Sequence, residues 1–360
     1  MKRIVLKLAM VLGAAMLLGF AGCTPEVSNA DTPDTPEPTV LSFTGTPYTV
    51  LAKGTDGTLG TKGTYVLFGD WPQTVKADSV TVDETNSVVM GAYTYYKGSD
   101  GAWYAKLSDE YFKVEPIKWR ILTDDYSGKK LLLAENALIN CTYCYYGDVN
   151  RNGGIYPNNY RESMVRAYLN GLSYSVKESN EAEQKTNKEF LGKGFLQTAF
   201  TEATQKMIAE TDVDNSGDST TDAAGKQSKS DGTDPEYPTD YTCANTKDKI
   251  FLLSEKEVTT AEYGFADYDV YIDDGNGTKE SSRIRMTTDY VKARCSAWQE
   301  IEEGYGGRWW LRSPYYEIVS PSGMEIGFYT AQAVYMDGSA GFCFVNDDWS
   351  CVVPALCLEN

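Results

Sequence analysis

The chain has no histidine. That absence excludes a Ser-His-Asp triad, a Cys-His pair, a histidine-liganded zinc or iron site and imidazole acid–base chemistry. Positive charge is also scarce. Only 33 Lys and Arg stand against 51 Asp and Glu, for a formal net charge of −18. No basic stripe interrupts that excess, so the surface should repel nucleic acid and anionic lipid. The apolar stretch from Leu8 to Phe20 is shorter than the ~20 residues a membrane-spanning helix requires. A second Cys-x-x-Cys is missing, which leaves Cys141-x-x-Cys144 as half of a four-thiolate zinc site at most. From Ser313 to Asn360 there is no Lys or Arg.

What is present begins at the N-terminus. Lys2, Arg3 and Lys7 precede the apolar stretch, and Leu18-Gly19-Phe20-Ala21-Gly22-Cys23 closes it. This is the layout of a bacterial secretory signal. A Cys directly after Ala-Gly resembles the lipobox of bacterial lipoproteins, although Phe20 stands where that motif usually carries Leu. The resemblance implies removal of residues 1–22, acylation of Cys23 and a membrane partner through the lipid. Thr24 follows, with no Asp to suggest inner-membrane retention, so an outer-membrane, surface-exposed lipoprotein is expected. Loss of Lys2, Arg3 and Lys7 takes the charge from −18 to −21. Residues 23–40 read as a lipidated stalk, because their Pro, Thr and acidic composition cannot bury enough surface to fold.

Beyond the stalk, residues 41–110 read as a β-rich N-terminal region. Thr64–Phe68 and Met90–Tyr96 are strand-like, and Gly98-Ser99-Asp100-Gly101 is a turn. Residues 111–360 read as the main domain. Ile117–Leu122 and Lys130–Ala134 flank a hairpin turn at Asp124–Gly128. Helical spacing appears over Arg161–Leu169, over Phe195–Ile208 and over Arg285–Trp298. A polar insertion spans 211–240. Lys249–Ser254 is a strand, and Ser254 with Glu257 forms a capping box that starts a short helix. β character returns from Arg308 to the end. Early strands, central helices and late strands predict an α+β fold rather than a parallel α/β sheet.

Seven cysteines follow Cys23: Cys141, Cys144, Cys243, Cys295, Cys343, Cys351 and Cys357. An odd number leaves one unpaired within the chain. Tyr143, Tyr145 and Tyr146 around the Cys-x-x-Cys are unlike a redox motif, and a local disulfide or two packed thiols is the favoured reading. Asp212-x-Asp214-x-Ser216-Gly217 matches the first half of a calcium loop, but Ala223 stands where its final acidic ligand belongs. Asp273-Asp274-Gly275-Asn276-Gly277 is similarly incomplete. No metal, cofactor or catalytic residue is therefore assigned. Glu302-Glu303 and Asp347-Asp348 are adjacent carboxylates of the kind chance supplies in a chain this acidic.

The strings Trp119-Arg120-Ile121-Leu122, Leu131-Leu132-Leu133-Ala134, Ile250-Phe251-Leu252-Leu253-Ser254, Trp309-Trp310-Leu311-Arg312-Ser313-Pro314 and Val353-Pro354-Ala355-Leu356 occur in this order. Together they resemble a bacterial domain family of unknown function, over about 110 to 358. Val353 replaces the Arg usual in that family. Tyr65–Thr74 resembles a stretch of spirochaete members. Several such proteins resemble the variable proteins of diversity-generating retroelements. That resemblance implies a C-type-lectin-like fold of the formylglycine-generating-enzyme type, with a ligand face near the C-terminus rewritten by adenine-directed mutagenesis. Cys343 and Cys351 lack the surrounding pattern of the oxidase's paired cysteines, and that chemistry is not carried over.

The C-terminal composition points the same way. Residues 313–353 mix aromatics with Gly, Ser, Asp and Asn, the composition of adaptable binding surfaces. Tyr315, Tyr316, Tyr335, Asp337, Phe342, Phe344, Asn346, Asp347 and Trp349 are the expected contacts. Trp309, Trp310 and Arg312 are the expected scaffold. A mutated Asn codon reaches Tyr, Asp, Ser, Phe, Cys, Gly, Val and Ile, whereas Met336 and Trp349 would need a different template codon. The expected partner is a protein or glycan. Competing readings are a carboxylate-based envelope enzyme acting on glycans and a structural or adhesion lipoprotein with fixed loops.

Overall fold

A computed structural model describes residues 40–51, 64–144, 157–177, 185–220, 243–265, 282–295, 305–315 and 330–360. The expected leader, Cys23, the stalk to residue 39, Tyr316, the later part of the polar insertion and Asp273–Gly277 lie outside them. The described residues all belong to one compact unit, Thr39–Asn360. They are rich in strands, and their helices are few and short.

Seven strands come first: β1 (Thr49–Leu51), β2 (Tyr65–Val75), β3 (Val82–Met90), β4 (Tyr93–Gly98), β5 (Trp103–Leu107), β6 (Glu110–Tyr126) and β7 (Lys129–Ala134). β3 to β7 form an antiparallel meander in which each strand pairs with the next. β2 lies against the long β6, and β1 against β2. The expected boundary at 110/111 falls at the start of β6, and strands from both sides share this sheet. The β6–β7 hairpin turns at Ser127 and Gly128, with φ of 53° and 81°. Positive φ at both central residues is the geometry that matches strand twist, and Asp125 Oδ1 accepts from the Gly128 amide at 3.0 Å. Met90–Tyr96 is not one strand. Gly91 (φ 54°) breaks it, and a Cβ there would come within 2.2 Å of the Thr198 hydroxyl.

The remaining elements are β8 (Ile139–Asn140), α1 (Met164–Asn170), β9 (Ser173–Lys177), β10 (Lys185–Glu189), α2 (Phe195–Ala199), α3 (Glu202–Gln205), β11 (Thr211–Val213), α4 (Gly217–Thr220), β12 (Thr246–Asp248), β13 (Ile250–Phe251), α5 (Asp289–Arg294), β14 (Trp309–Tyr315), β15 (Thr330–Val334), β16 (Ala340–Phe344), β17 (Cys351–Val352) and β18 (Ala355–Glu359). β18 pairs with β7 and β13 with β18, so the large sheet has nine strands. A second sheet of five runs β16-β15-β14-β17-β8, with β14 and β17 parallel and the other pairs antiparallel.

The helices are short because polar side chains cap them early. Ser163 Oγ accepts from Arg166 N to start α1, and Gly171 ends it at φ 68°. The helix expected over Phe195–Ile208 is two, since Phe200 is extended and Thr201 caps α3. Its apolar face is as expected: Phe195, Leu196, Phe200 and Ile208 are all buried. The one expected over Arg285–Trp298 starts only at Asp289, where Thr288 is the cap. Trp71 on β2 packs against Phe195 at 4.8 Å between ring centres, which seats α2 on the large sheet.

Four of the sequence strings converge in the core. Trp119, Leu131, Leu132, Leu133, Phe251, Leu252, Leu253, Trp309, Trp310 and Leu311 are each inaccessible to solvent. The Arg312 amide donates to the Leu253 carbonyl at 2.9 Å. The Glu255 amide donates to Ser313 Oγ at 2.8 Å. At the centre, the Glu257 carboxylate accepts from both terminal nitrogens of Arg312, from the Ser254 amide at 2.7 Å and from the Tyr126 hydroxyl at 2.7 Å. The Glu257 amide donates back to Ser254 Oγ at 3.1 Å, completing the capping box.

Candidate functional site: the C-terminal sheet edge and its loops

β14, β15 and β16 carry the C-terminal face, with β16 at the edge of the five-stranded sheet. Directly paired residues share a face of an antiparallel sheet. Phe342 pairs with Gln332, and Thr330 pairs with both Phe344 and Tyr315. Tyr315, Phe342 and Phe344 therefore lie on one face, while Cys343 and Ala331 turn to the other and are buried. The Tyr315 and Phe342 rings stack at 4.1 Å and 12°.

Two tight loops border this face. In the first, the Tyr335 amide donates to the Ser339 carbonyl at 2.7 Å, and Gly338 turns the chain at φ 80°. Asp337 Oδ1 accepts from the Ser339 amide at 2.9 Å and from its hydroxyl. The Tyr335 ring lies over Gly341, where a Cβ would meet it at 2.3 Å. Its hydroxyl donates to the Phe342 carbonyl at 2.9 Å. Burial raises the pKa of that phenol, so it stays protonated as a donor. In the second loop, Asp347 Oδ1 accepts from the Trp349 amide at 3.0 Å, and Oδ2 accepts from the Ser350 hydroxyl at 2.9 Å. Arg308 pairs with the same carboxylate and donates from Nε to Ser350 Oγ at 3.1 Å.

The structure thus divides the expected contact residues. Tyr335, Asp337 and Asp347 direct their polar atoms into the loops themselves. Phe344, Asn346 and Trp349 are exposed, and Tyr315 and Phe342 are half-buried. Phe344 is 54 % and Trp349 56 % exposed, and no other aromatic side chain among the described residues reaches the exposed class. Met336, at 43 %, and Asp348 are exposed beside them. Arg308 was not among the residues that the sequence singled out. Its position just before the Trp-Trp pair was the available signal.

The expected scaffold residues are buried. Trp309 Nε1 donates to the Arg283 carbonyl at 3.1 Å and Trp310 Nε1 to the Cys141 carbonyl at 2.9 Å. Burial opposes the charge on Arg312, but the adjacent Glu257 carboxylate outweighs it and holds the guanidinium proton more tightly than in water.

The thiols are placed for packing. Burial pushes Cys141 up to about 12, and Cys243, Cys343 and Cys357 up to about 11. Such thiols carry almost no thiolate at neutral pH and are poor nucleophiles. Cys144 Sγ lies 3.2 Å from the Tyr174 hydroxyl. In the calcium-like stretch, Asp212 sits on β11 and pairs with Lys247 at 3.0 Å, and Asp214 Oδ1 accepts from the Ser216 amide at 2.9 Å. Among the described residues no three potential ligands of His, Cys, Asp or Glu type gather around one point. No helix there is long and apolar enough to cross a membrane. A cleft of about 290 Å³ opens elsewhere, lined by Trp103, Lys97, Lys113 and Glu115, and shares no residue with the C-terminal face.

Residues 127–360 match the DUF6273 family, a domain of unknown function, and the chain belongs to that family. No curated protein and no solved structure matches the chain.

Proposed function

We propose that this DUF6273 protein is a lipid-anchored binding protein of the bacterial surface. Cys23 carries the anchor, residues 24–40 are the stalk, and the C-terminal face takes a protein or glycan ligand. The observation that carries the reading is the pairing of Phe344 and Trp349, the two exposed aromatics among the described residues, with loops held by their own hydrogen bonds. Exposed aromatics are the side chains that contribute most to binding when a partner covers them. Loops already ordered by Asp337 and Asp347 lose little entropy on binding. The half-buried Tyr315–Phe342 stack extends the same face. Recognition of this kind needs shape, stacking and hydrogen bonds, and no catalytic group.

The finer reading is a C-type-lectin-like domain displayed from the outer membrane, with residues 313–353 diversified between sister genes. A five-stranded sheet of short strands, brief helices and a loop-rich C-terminal edge suit such a domain. On this reading substitutions concentrate at outward positions such as Phe344, Asn346, Asp348 and Trp349, and spare Trp309, Trp310 and Arg312. Sequencing the 3′ end of the gene across close relatives tests it. Loops as constant as the scaffold would remove diversification and leave a single fixed ligand.

The binding reading is tested with F344A/W349A. The double variant should keep the wild-type melting temperature within about 1–2 °C, because exposed side chains contribute little to stability. It should lose binding to ligands recovered by screening displayed proteins and glycan arrays with the wild-type chain. Unchanged binding would move the site elsewhere. A large fall in melting temperature would return both residues to the core.

A further inference from the structure

A second, independent site is marked by a buried cation with one edge of its guanidinium unpartnered among the described residues. Arg285 lies in the segment before α5 and is 1 % exposed. Its Nη1 donates to the carbonyls of Ser282 and Ile284, both at 2.9 Å. Among the described residues, its Nε and Nη2 donate to nothing. These two nitrogens form the side-on edge of a guanidinium, the edge that grips two oxygens at once.

The surroundings add positive charge. Arg120 on β6 is 3 % exposed and pairs with Glu135 at 3.4 Å. The Tyr65 hydroxyl donates to the same carboxylate at 3.4 Å. Lys118 Nζ stands 4.2 Å from the centre of the Tyr65 ring. Glu135 therefore has Arg120 as its partner, and the two guanidiniums exceed the one carboxylate by a full charge. Burial first, and the repulsion of Arg120 second, bring the pKa of Arg285 down to about 9, even with Glu135 near enough to raise it. This occurs in a chain whose formal charge is −18 and whose surface offers carboxylates in excess. An uncompensated buried charge is among the costlier features a fold can carry.

We propose that the Arg285 fork, with Arg120 beside it, holds a small oxyanion presenting two oxygens side by side: a carboxylate, sulfate or phosphate. Water can fill the fork but leaves the surplus charge in place. Chloride neutralises the charge but cannot bridge both nitrogens. Burial of Arg285, Arg120 and Tyr65 confines the occupant to a few atoms. Glu135, already paired with Arg120, repels the anion and weakens the site without closing it.

The test uses the full chain at pH 7 and fixed ionic strength, with sodium chloride exchanged for sodium formate, sulfate or phosphate up to about 10 mM. At that level general salt effects on burial are small. One of the oxyanions should raise the melting temperature by about 2–4 °C for each tenfold rise above its dissociation constant. Titration calorimetry should give one site per chain. R285M should abolish both effects. E135Q, which removes the opposing carboxylate, should bind the same anion about tenfold more tightly and serves if R285M does not fold. The proposal is overturned if all three oxyanions act like chloride. It is equally overturned if the response survives in folded R285M, or if E135Q leaves the affinity unchanged.

Discussion

Replacing Glu257 by Gln probes the buried centre on which the C-terminal face rests. The carboxylate accepts from Arg312, Tyr126 and Ser254, and Arg312 is 1 % exposed. Glutamine at this position still accepts from the Ser254 amide, so the capping box survives and only the charge is lost. Arg312 then keeps that neutral amide oxygen and the carbonyls of Leu252 and Asp214, at 2.9 and 3.2 Å, but no anion. Removing one partner of a buried pair costs about 3–5 kcal/mol. In a chain of this size that lowers the melting temperature by roughly 4–7 °C. S254A, which removes only the cap, should cost about 1 kcal/mol. The pH dependence separates charge from packing. Burial would raise the pKa of Glu257, but Arg312 and the hydrogen bonds of Ser254 and Tyr126 outweigh it, so the folded pKa lies below the ordinary value. The unfolded chain therefore takes up the proton first. The stabilisation is complete above the unfolded pKa of about 4.3 and is lost as pH falls through the lower folded value. Urea unfolding followed by tryptophan fluorescence at pH 7 and along the acid limb measures both. E257Q should be weaker at pH 7 and flatter below pH 4.5. If it stays within about 1 kcal/mol of wild type, with the same acid limb, the pair does not hold this core together.

Three further outcomes are expected. G341A places a Cβ against the Tyr335 ring and should displace it from the Phe342 backbone. Equilibrium unfolding should register about 1–2 kcal/mol of destabilisation, and wild-type stability would show that the ring is not held there. G128A forces a side chain onto a backbone with φ 81°. It should cost about 1 kcal/mol, whereas no cost would argue against the turn geometry. Cys141 and Cys343 should react with iodoacetamide at pH 8 only on unfolding, because burial holds both thiols protonated. Rapid labelling of either in the folded chain, read by mass spectrometry, would contradict that placement.

Much of the local structure was legible in the residues. The Asp124–Gly128 turn, the Ser254/Glu257 capping box and the inward face Phe195, Leu196, Phe200 and Ile208 depend on groups a few positions apart. Backbone preference and short-range hydrogen bonds suffice to specify them. The errors were also local in origin. Met90–Tyr96 alternates like one strand, yet Gly91 turns where Thr198 approaches, and Thr198 belongs to a helix distant in sequence. Periodicity across Phe200 suggested one helix, and the cap formed by Thr201 made two.

The sequence by itself determined that the C-terminal segment is aromatic, small and free of Lys and Arg, and that the chain lacks imidazole chemistry. Composition requires no fold to be read. Which aromatics face outward was decided by the pairing of β15 with β16, since a one-residue shift would exchange Phe344 and Cys343. Glu257 meets Arg312 across 55 residues, and Arg285 meets Arg120 from another part of the chain. Neither meeting is written in local spacing. Charge compensation depends on which segments are brought together and how much water is removed between them, and only the packed tertiary structure settles both.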